Sequence, residues 1–169
     1  MKIPHSALRT PHSSLTPLDY AYRLLARRAY SEQELTNKLL AKGFTEAAVT
    51  RTVGRLTAQG YLDDTRLAAD QAERLRERGF GPEAIKAKLA QKGLSPETIG
   101  HAGDLDHEAE EMESARRLLA SRFAADALKQ AQTYARAFRL LLRRGYSQEL
   151  VERVLGNAPS DTWDTEEEE

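Results

Sequence analysis

The chain has 169 residues, of which 40% are apolar and 30% are charged, and its formal net charge is −1. This balance is typical of a folded domain and not of a disordered chain. The absence of cysteine excludes disulfides, thiolate catalysis and zinc sites with cysteine ligands.

The composition predicts an all-α protein in the cytoplasm. Ala, Leu, Arg, Glu, Lys and Gln dominate, and these residues favour helices. The first residues are polar and lack the apolar run of a signal peptide, and no stretch approaches the ~18 apolar residues of a membrane span. We therefore expect no membrane association.

A repeated pattern runs along the chain, and its copies predict helix-turn-helix units. The first copy reads Arg28-Ala29-Tyr30-Ser31, followed by Leu35, Lys38, Leu39, Lys42 and Gly43. The second, 50 residues later, reads Arg78-Gly79-Phe80-Gly81-Pro82, followed by Ile85, Lys88, Leu89, Lys92 and Gly93. The third reads Arg144-Gly145-Tyr146-Ser147 and is truncated before Pro159.

The turn residues predict where the helices begin and end. The glycines of the second and third turns suit the left-handed conformation that ends a helix. Ser31 and Ser147 are expected N-caps, and Glu34 has the spacing of a capping box with Ser31. Pro82 fits the first position of a helix, where its missing amide hydrogen has no cost.

Longer helices are predicted between the copies: one starting at Asp63 or Asp64, one over residues 105–123 and one over residues 126–144. We expect three three-helix repeats, joined by these helices into an elongated, curved array. The expected divisions are a disordered arm (1–16), repeat 1 (17–62), repeat 2 (63–104), repeat 3 (105–156) and a disordered acidic tail (157–169).

These motifs, taken in order, resemble the RecX family. The segment Gly60-Tyr61-Leu62-Asp63-Asp64-Thr65-Arg66 is similar to the family's linker between its first and second units, and the turns at Arg78 and at Arg144 are similar to those of its second and third units. The chain departs from the family pattern at Ala29, where glycine is usual, at Leu67, where phenylalanine is usual, and at Val154, where a lysine is missing.

The resemblance implies a regulator of the RecA recombinase. Such a protein binds the RecA filament on single-stranded DNA and suppresses filament growth, ATP hydrolysis or strand exchange. The residues themselves show no recognisable active site, so we expect no cofactor and no catalytic residue, and we expect a monomer.

Segregated basic residues are the candidate contacts to RecA or DNA. Residues 21–93 hold 14 Lys and Arg against 9 acids, and residues 114–156 hold 9 against 3. Helical spacing predicts that Lys129 shares one face with three arginines of the same helix. A solvated helix face is the competing interpretation. The candidates are Arg28, Lys38, Lys42, Arg78, Lys88, Lys92, Lys129, Arg136, Arg139, Arg143 and Arg144.

Other functions remain as alternatives. The first unit resembles a DNA-binding helix-turn-helix that would act without RecA, although its second helix carries few base-reading side chains. An enzyme is disfavoured because no phosphate loop or nucleophile motif is present. His101 and His107 beside acidic residues make a metal site conceivable, but their spacing fits no familiar ligand pattern. The aromatic residues, Tyr61 included, are interpreted as core.

Overall fold

The computed structural model describes residues 15–103 and 108–159, and these residues form nine α-helices, one 3-10 helix and no strand. The expectations for residues 1–14 and for the acidic residues 161–169 lie outside the described part. The chain divides into two compact units, one ending at Asp63 and one beginning at Asp64. None of the described helices combines the length and apolar character that a bilayer crossing needs.

The first unit contains repeat 1, with helices α1 (Pro17–Leu25), α2 (Glu32–Ala41) and α3 (Glu46–Ala58). Capping boxes begin two of them, Thr16 with Asp19 at α1 and Ser31 with Glu34 at α2. The predicted role of Ser31 is thus confirmed. The helices enclose one core, whose buried members are Ala21, Leu24, Tyr30, Leu35, Leu39, Val49, Val53, Leu56 and Leu62.

The first turn differs from the other two because it has Ala29 in place of glycine. No residue other than glycine has a positive φ in the described part of the chain. Helix α1 therefore does not end in a left-handed residue. It stops at Leu25, and its C-cap Ala26 has right-handed backbone angles. The corresponding helix of repeat 2, by contrast, continues to Glu77 and is followed by Gly79 at φ +73°.

The second unit begins with repeat 2, made of α4 (Asp64–Glu77), α5 (Pro82–Gln91) and α6 (Pro96–Gly103). Gly81 is the N-cap of α5 and Pro82 occupies its first turn, as the sequence predicts. The repeat has its own buried cluster: Leu67, Ala68, Ala72, Leu75, Ile85, Leu89, Leu94, Ile99 and Ala102.

Repeat 3 consists of α7 (Glu108–Ala120), a 3-10 helix (Ala125–Lys129), α8 (Ala131–Arg143) and α9 (Gln148–Leu155). The prediction of one helix over residues 126–144 is wrong, because Gln130 has extended backbone angles (φ −87°, ψ 130°) that separate the 3-10 helix from α8. The helix predicted over 105–123 ends at Ala120, and the structure does not describe residues 104–107.

The core of repeat 3 is formed by all three of its α-helices. Helix α7 packs against α9, and α8 also packs against α9. Ala137 and Leu141 are fully buried on α8, whereas Tyr134 and Phe138 are half-buried. The buried cluster is Ala115, Leu118, Leu119, Ala137, Leu141, Tyr146, Leu150 and Val151.

The aromatic residues of the turns are buried or half-buried with one exception. Tyr30 and Tyr146 are buried and Phe80 is half-buried. Tyr61 is 57% exposed, so its assignment to the core is wrong. Its ring instead meets the Tyr22 ring edge-on at the surface of the first unit, with centroids 5.3 Å apart.

Candidate functional site

In the first unit, the candidate Arg28 has an internal carboxylate partner. Its two terminal nitrogens donate to the Glu34 carboxylate at 3.0 and 3.2 Å, and its guanidinium lies 3.7 Å from the centroid of the Tyr30 ring. The hydrogen bonds to Glu34 raise the pKa of Arg28 above its ordinary value. Much of the charge of Arg28 is therefore balanced within repeat 1, by a carboxylate of α2.

The two candidate lysines of α2 lie on the surface of the same unit. Lys38 and Lys42 are both exposed. Lys42 is the C-cap residue of α2, where a cation favours the helix dipole, and its ammonium lies 5.7 Å from the Tyr20 ring centroid. These lysines can contact a partner, but their positions also have this local explanation.

In the second unit, three candidate cations surround one aromatic ring. The ring of Phe80 has the Lys88 ammonium at 4.7 Å from its centroid, and the guanidinium carbons of Arg144 and Arg78 at 4.8 and 5.8 Å. These distances are within or close to the range of cation–π attraction. We call Phe80, Arg78, Lys88 and Arg144 the Phe80 cluster.

Backbone pairing between the turns of repeats 2 and 3 positions this cluster. The amide of Gly81 donates to the carbonyl of Arg144 at 2.7 Å, and the amide of Glu83 donates to the carbonyl of Gly145 at 3.1 Å. The Arg144 side chain donates to the carbonyl of Arg78 at 2.9 Å. The two turns therefore hold Arg144 beside Phe80.

Glycine is required on both sides of this junction. A Cβ added to Gly81 would lie 2.6 Å from the amide nitrogen of Tyr146, and one added to Gly145 would lie 2.6 Å from the Cβ of Ala84. Both distances are well below van der Waals contact. The sequence pattern indicates that Gly145 follows a helix end but does not indicate this second role, because the contact joins residues far apart in the chain.

A groove of about 1010 Å³ adjoins the Phe80 cluster and carries charges of both signs. At its wall, the Tyr146 hydroxyl donates to the Ser114 Oγ at 3.0 Å. Burial raises the pKa of Tyr146, and burial also raises the pKa of Glu111. The charged lining residues are Glu73, Arg76, Glu77, Arg78, Lys86, Glu110, Glu111, Glu113, Arg117, Arg122 and Arg144.

The other candidates of this unit lie on separate elements. Arg136, Arg139 and Arg143 are exposed on α8. Lys129 does not belong to their helix, because it ends the 3-10 helix and pairs with Asp126 at 3.1 Å. Lys92 is the C-cap residue of α5 and is half-buried.

The histidines considered for metal binding and the aspartates at the start of α4 have other placements. The ring Nδ1 of His101 is 2.8 Å from the carbonyl oxygen of Glu97, one helical turn earlier. His107 lies outside the described residues, within which no cluster of three or more His, Asp or Glu side chains suits a metal. Asp64 begins α4 and Asp63 directly precedes it, which are capping positions.

Comparison with known proteins matches each repeat to a domain of one family. The models described as the first, second and third three-helix domains of RecX match residues 18–56, 63–102 and 109–155. The chain belongs to the RecX family. The family descriptions name three-helix domains and a regulatory protein, and none names a catalytic domain.

Relatives of similar length cover most of the chain. Regulatory protein RecX of Stenotrophomonas maltophilia (strain R551-3) is 35% identical over 159 residues, which cover 94% of this chain and 96% of the relative. Regulatory protein RecX of Xanthomonas axonopodis pv. citri (strain 306) is 39% identical over 131 residues, 78% of this chain and 80% of the relative.

Solved RecX structures share the fold. The crystal structure of RecX from Lactobacillus salivarius superposes with a TM-score of 0.70 at 17% identity, covering 82% of this chain and 92% of that one. A second structure, titled regulatory protein RecX, also gives 0.70, at 21% identity and with 82% and 69% coverage.

Proposed function

We propose that this protein modulates the RecA recombinase, most simply as an inhibitor. It binds the RecA filament on single-stranded DNA and suppresses filament growth, ATP hydrolysis and strand exchange. The observation that carries the proposal is the match of three consecutive RecX domains, together with relatives named regulatory protein RecX along most of the chain.

The placement of the candidate cations supports this proposal. Cations lie on equivalent elements of successive repeats, as the exposed Lys38 on α2 and the half-buried Lys88 on α5 illustrate. A filament presents the same surface many times, so a protein with repeated basic positions suits it. The described residues also present three exposed arginines on α8. Because a RecA filament is cytoplasmic, the proposed location is the cytoplasm, and we propose that a monomer is the active form.

The test is the single-stranded-DNA-dependent ATPase of RecA with the full chain titrated in. We expect the rate to fall at less than one molecule per RecA subunit, because blocking filament growth affects many subunits. Strand exchange measured in parallel is expected to fall as well. If an excess of the protein leaves ATPase, filament length and strand exchange unchanged, the proposal is wrong.

A matched binding experiment separates this function from a DNA-binding protein that acts without RecA. Affinity for RecA-coated single strands is compared with affinity for bare single strands and duplexes of random and genomic sequence. The proposal expects the coated strand to bind most tightly. Tight binding to one duplex sequence, with no preference for RecA-coated DNA, would favour the helix-turn-helix alternative. ATP turnover by the protein alone tests the enzyme alternative, and we expect none above background.

A further inference from the structure

The turns of repeats 1 and 2 occupy equivalent positions but differ in charge balance. With the 50-residue offset, Arg28, Tyr30 and Lys38 correspond to Arg78, Phe80 and Lys88. Glu34 of repeat 1, which pairs with Arg28, corresponds to Ala84 of repeat 2. Repeat 2 therefore keeps the cations and the ring but lacks the carboxylate that balances them.

The place of that carboxylate is taken by the turn of repeat 3. Gly145 lies so close to Ala84 that a Cβ on the glycine would be 2.6 Å from the alanine Cβ. This close approach brings the Arg144 guanidinium to 4.8 Å from the Phe80 centroid. The carboxylate of repeat 1 is thus replaced in repeat 2 by a third cation.

No carboxylate of the described residues forms an ion pair with these cations. Within residues 15–103 and 108–159, neither Arg78, Lys88 nor Arg144 forms an ion pair, whereas the neighbouring Lys86 pairs with Glu83 at 3.1 Å. Three like charges around one ring repel one another. The ring offsets part of this repulsion, and an anion at the cluster would offset more.

We propose that the Phe80 cluster is a binding site for a phosphate group. Two of its three cations are arginines, whose planar forks suit phosphate oxygens, and the third is a lysine, which acts as a point charge. The hydrogen bond from Arg144 to the Arg78 carbonyl restricts one of these side chains before any ligand binds. The phosphate can belong to the backbone of single-stranded DNA, in which case the site rests on the proposed function, or to a free nucleotide.

The sharpest test restores the carboxylate of repeat 1 in repeat 2. In the full chain, Ala84→Glu introduces a carboxylate at the residue equivalent to Glu34, and Ala84→Gln is its uncharged control of the same size. The probes are tripolyphosphate, measured by calorimetry, and a labelled thymidine oligonucleotide, measured by fluorescence anisotropy at low salt. Because charge-assisted contacts are lost, we expect Ala84→Glu to bind about tenfold more weakly than Ala84→Gln.

A second pair of variants guards against misfolding at the crowded junction. Lys88→Gln removes one cation and keeps most of the side-chain length, and Lys86→Gln is the same change at a lysine of the same helix whose charge Glu83 already balances. We expect Lys88→Gln to weaken binding severalfold and Lys86→Gln to leave tripolyphosphate binding unchanged. If Ala84→Glu and Ala84→Gln both fail to fold, this second pair decides.

The outcomes distinguish the two sources of phosphate. They also separate a failure of this site from a failure of the proposed function. A loss confined to the oligonucleotide assigns the site to the DNA backbone, and a loss confined to tripolyphosphate assigns it to a free nucleotide. If the folded site variants bind both probes as well as the wild-type chain does, the site is overturned. Neither probe contains RecA, so the binding result holds whether or not the RecA assays support the proposed function.

Discussion

Two glycines at equivalent turn positions have different packing environments. Gly79 and Gly145 both have left-handed backbones, with φ of +73° and +84°. A Cβ on Gly79 would meet the side chain of Leu118 at 3.4 Å, which is ordinary contact. One on Gly145 would overlap Ala84. The first position therefore needs glycine for its backbone conformation alone, and the second also needs it for the junction.

We expect Gly145→Ala to destabilise the protein more than Gly79→Ala. Both changes add the left-handed strain of about 1–2 kcal/mol. Gly145→Ala adds an overlap at a packed junction, which costs about 1–3 kcal/mol more. Urea unfolding followed by circular dichroism measures both free energies, and Gly79→Ala is the matched control from the same unit. Equal losses would show that the turns of repeats 2 and 3 are not held as closely as the structure shows.

Local rules predicted part of this residue-scale picture. Left-handed glycines and serine caps depend on neighbours within four residues, so the sequence pattern found them. The Phe80 cluster depends on contacts across more than 60 residues, and no local rule indicates them. The exposure of Tyr61 was missed for the same reason, since a turn aromatic is buried only if a neighbouring element covers it.

Helix ends followed the sequence closely where a glycine, a proline or a capping serine marks them. The break at Gln130 has no such mark, because residues 124–131 contain no glycine or proline and several good helix formers. Leu128, in the 3-10 helix before the break, packs against the core of repeat 3. The chain therefore leaves the helix at Gln130 while Leu128 stays against this core, contrary to the local helix propensity.

The exposed arginines of α8 form an element-scale candidate surface. We expect the triple change of Arg136, Arg139 and Arg143 to alanine to keep the helical content, because alanine favours helices and none of the three is buried. If they contact phosphates of single-stranded DNA, the magnitude of the log–log salt slope of binding falls by about 0.7 per arginine removed. Circular dichroism and binding to RecA-coated DNA at several salt concentrations measure the two quantities.

The matched control replaces the same three arginines with lysine. This variant keeps the charges but loses the planar forks of the guanidinium groups. We expect its salt slope to stay near that of the wild-type chain. Unchanged affinity and slope in the alanine variant, with helicity intact, would mean that the stripe is only a solvated face.

At the scale of the whole molecule, the net charge hides a separation of charge along the chain. Segments 21–93 and 114–156 carry an excess of cations, and the sequence balances it with acids elsewhere. Six of these acids are Asp161, Asp164 and Glu166 to Glu169. The order of the three repeats was predictable from the sequence because each copy carries its own turn motif. The contacts between the second and third repeats were not predictable from the sequence. They join residues of different copies, and the motif of one copy does not indicate its contacts with another.

The six carboxylates of residues 161–169 are expected to weaken binding to single-stranded DNA. Removing residues 161–169 changes the formal net charge from −1 to +5. A more positive chain attracts a polyanion more strongly, so we expect the shortened protein to bind bare single-stranded DNA more tightly at low salt. The gain is expected to shrink as salt increases, since the screening length falls from about 30 Å at 0.01 M to about 3 Å at 1 M.

The control for this deletion keeps the length and removes only the charge. In it the two aspartates become asparagine and the four glutamates become glutamine. If charge is the cause, this variant binds as tightly as the shortened chain at every salt concentration. If only the deletion tightens binding, the segment interferes through its bulk and not through its charge. If neither change tightens binding at low salt, the acidic residues do not oppose the basic surfaces, and inhibition of RecA by the shortened chain should equal that by the full chain.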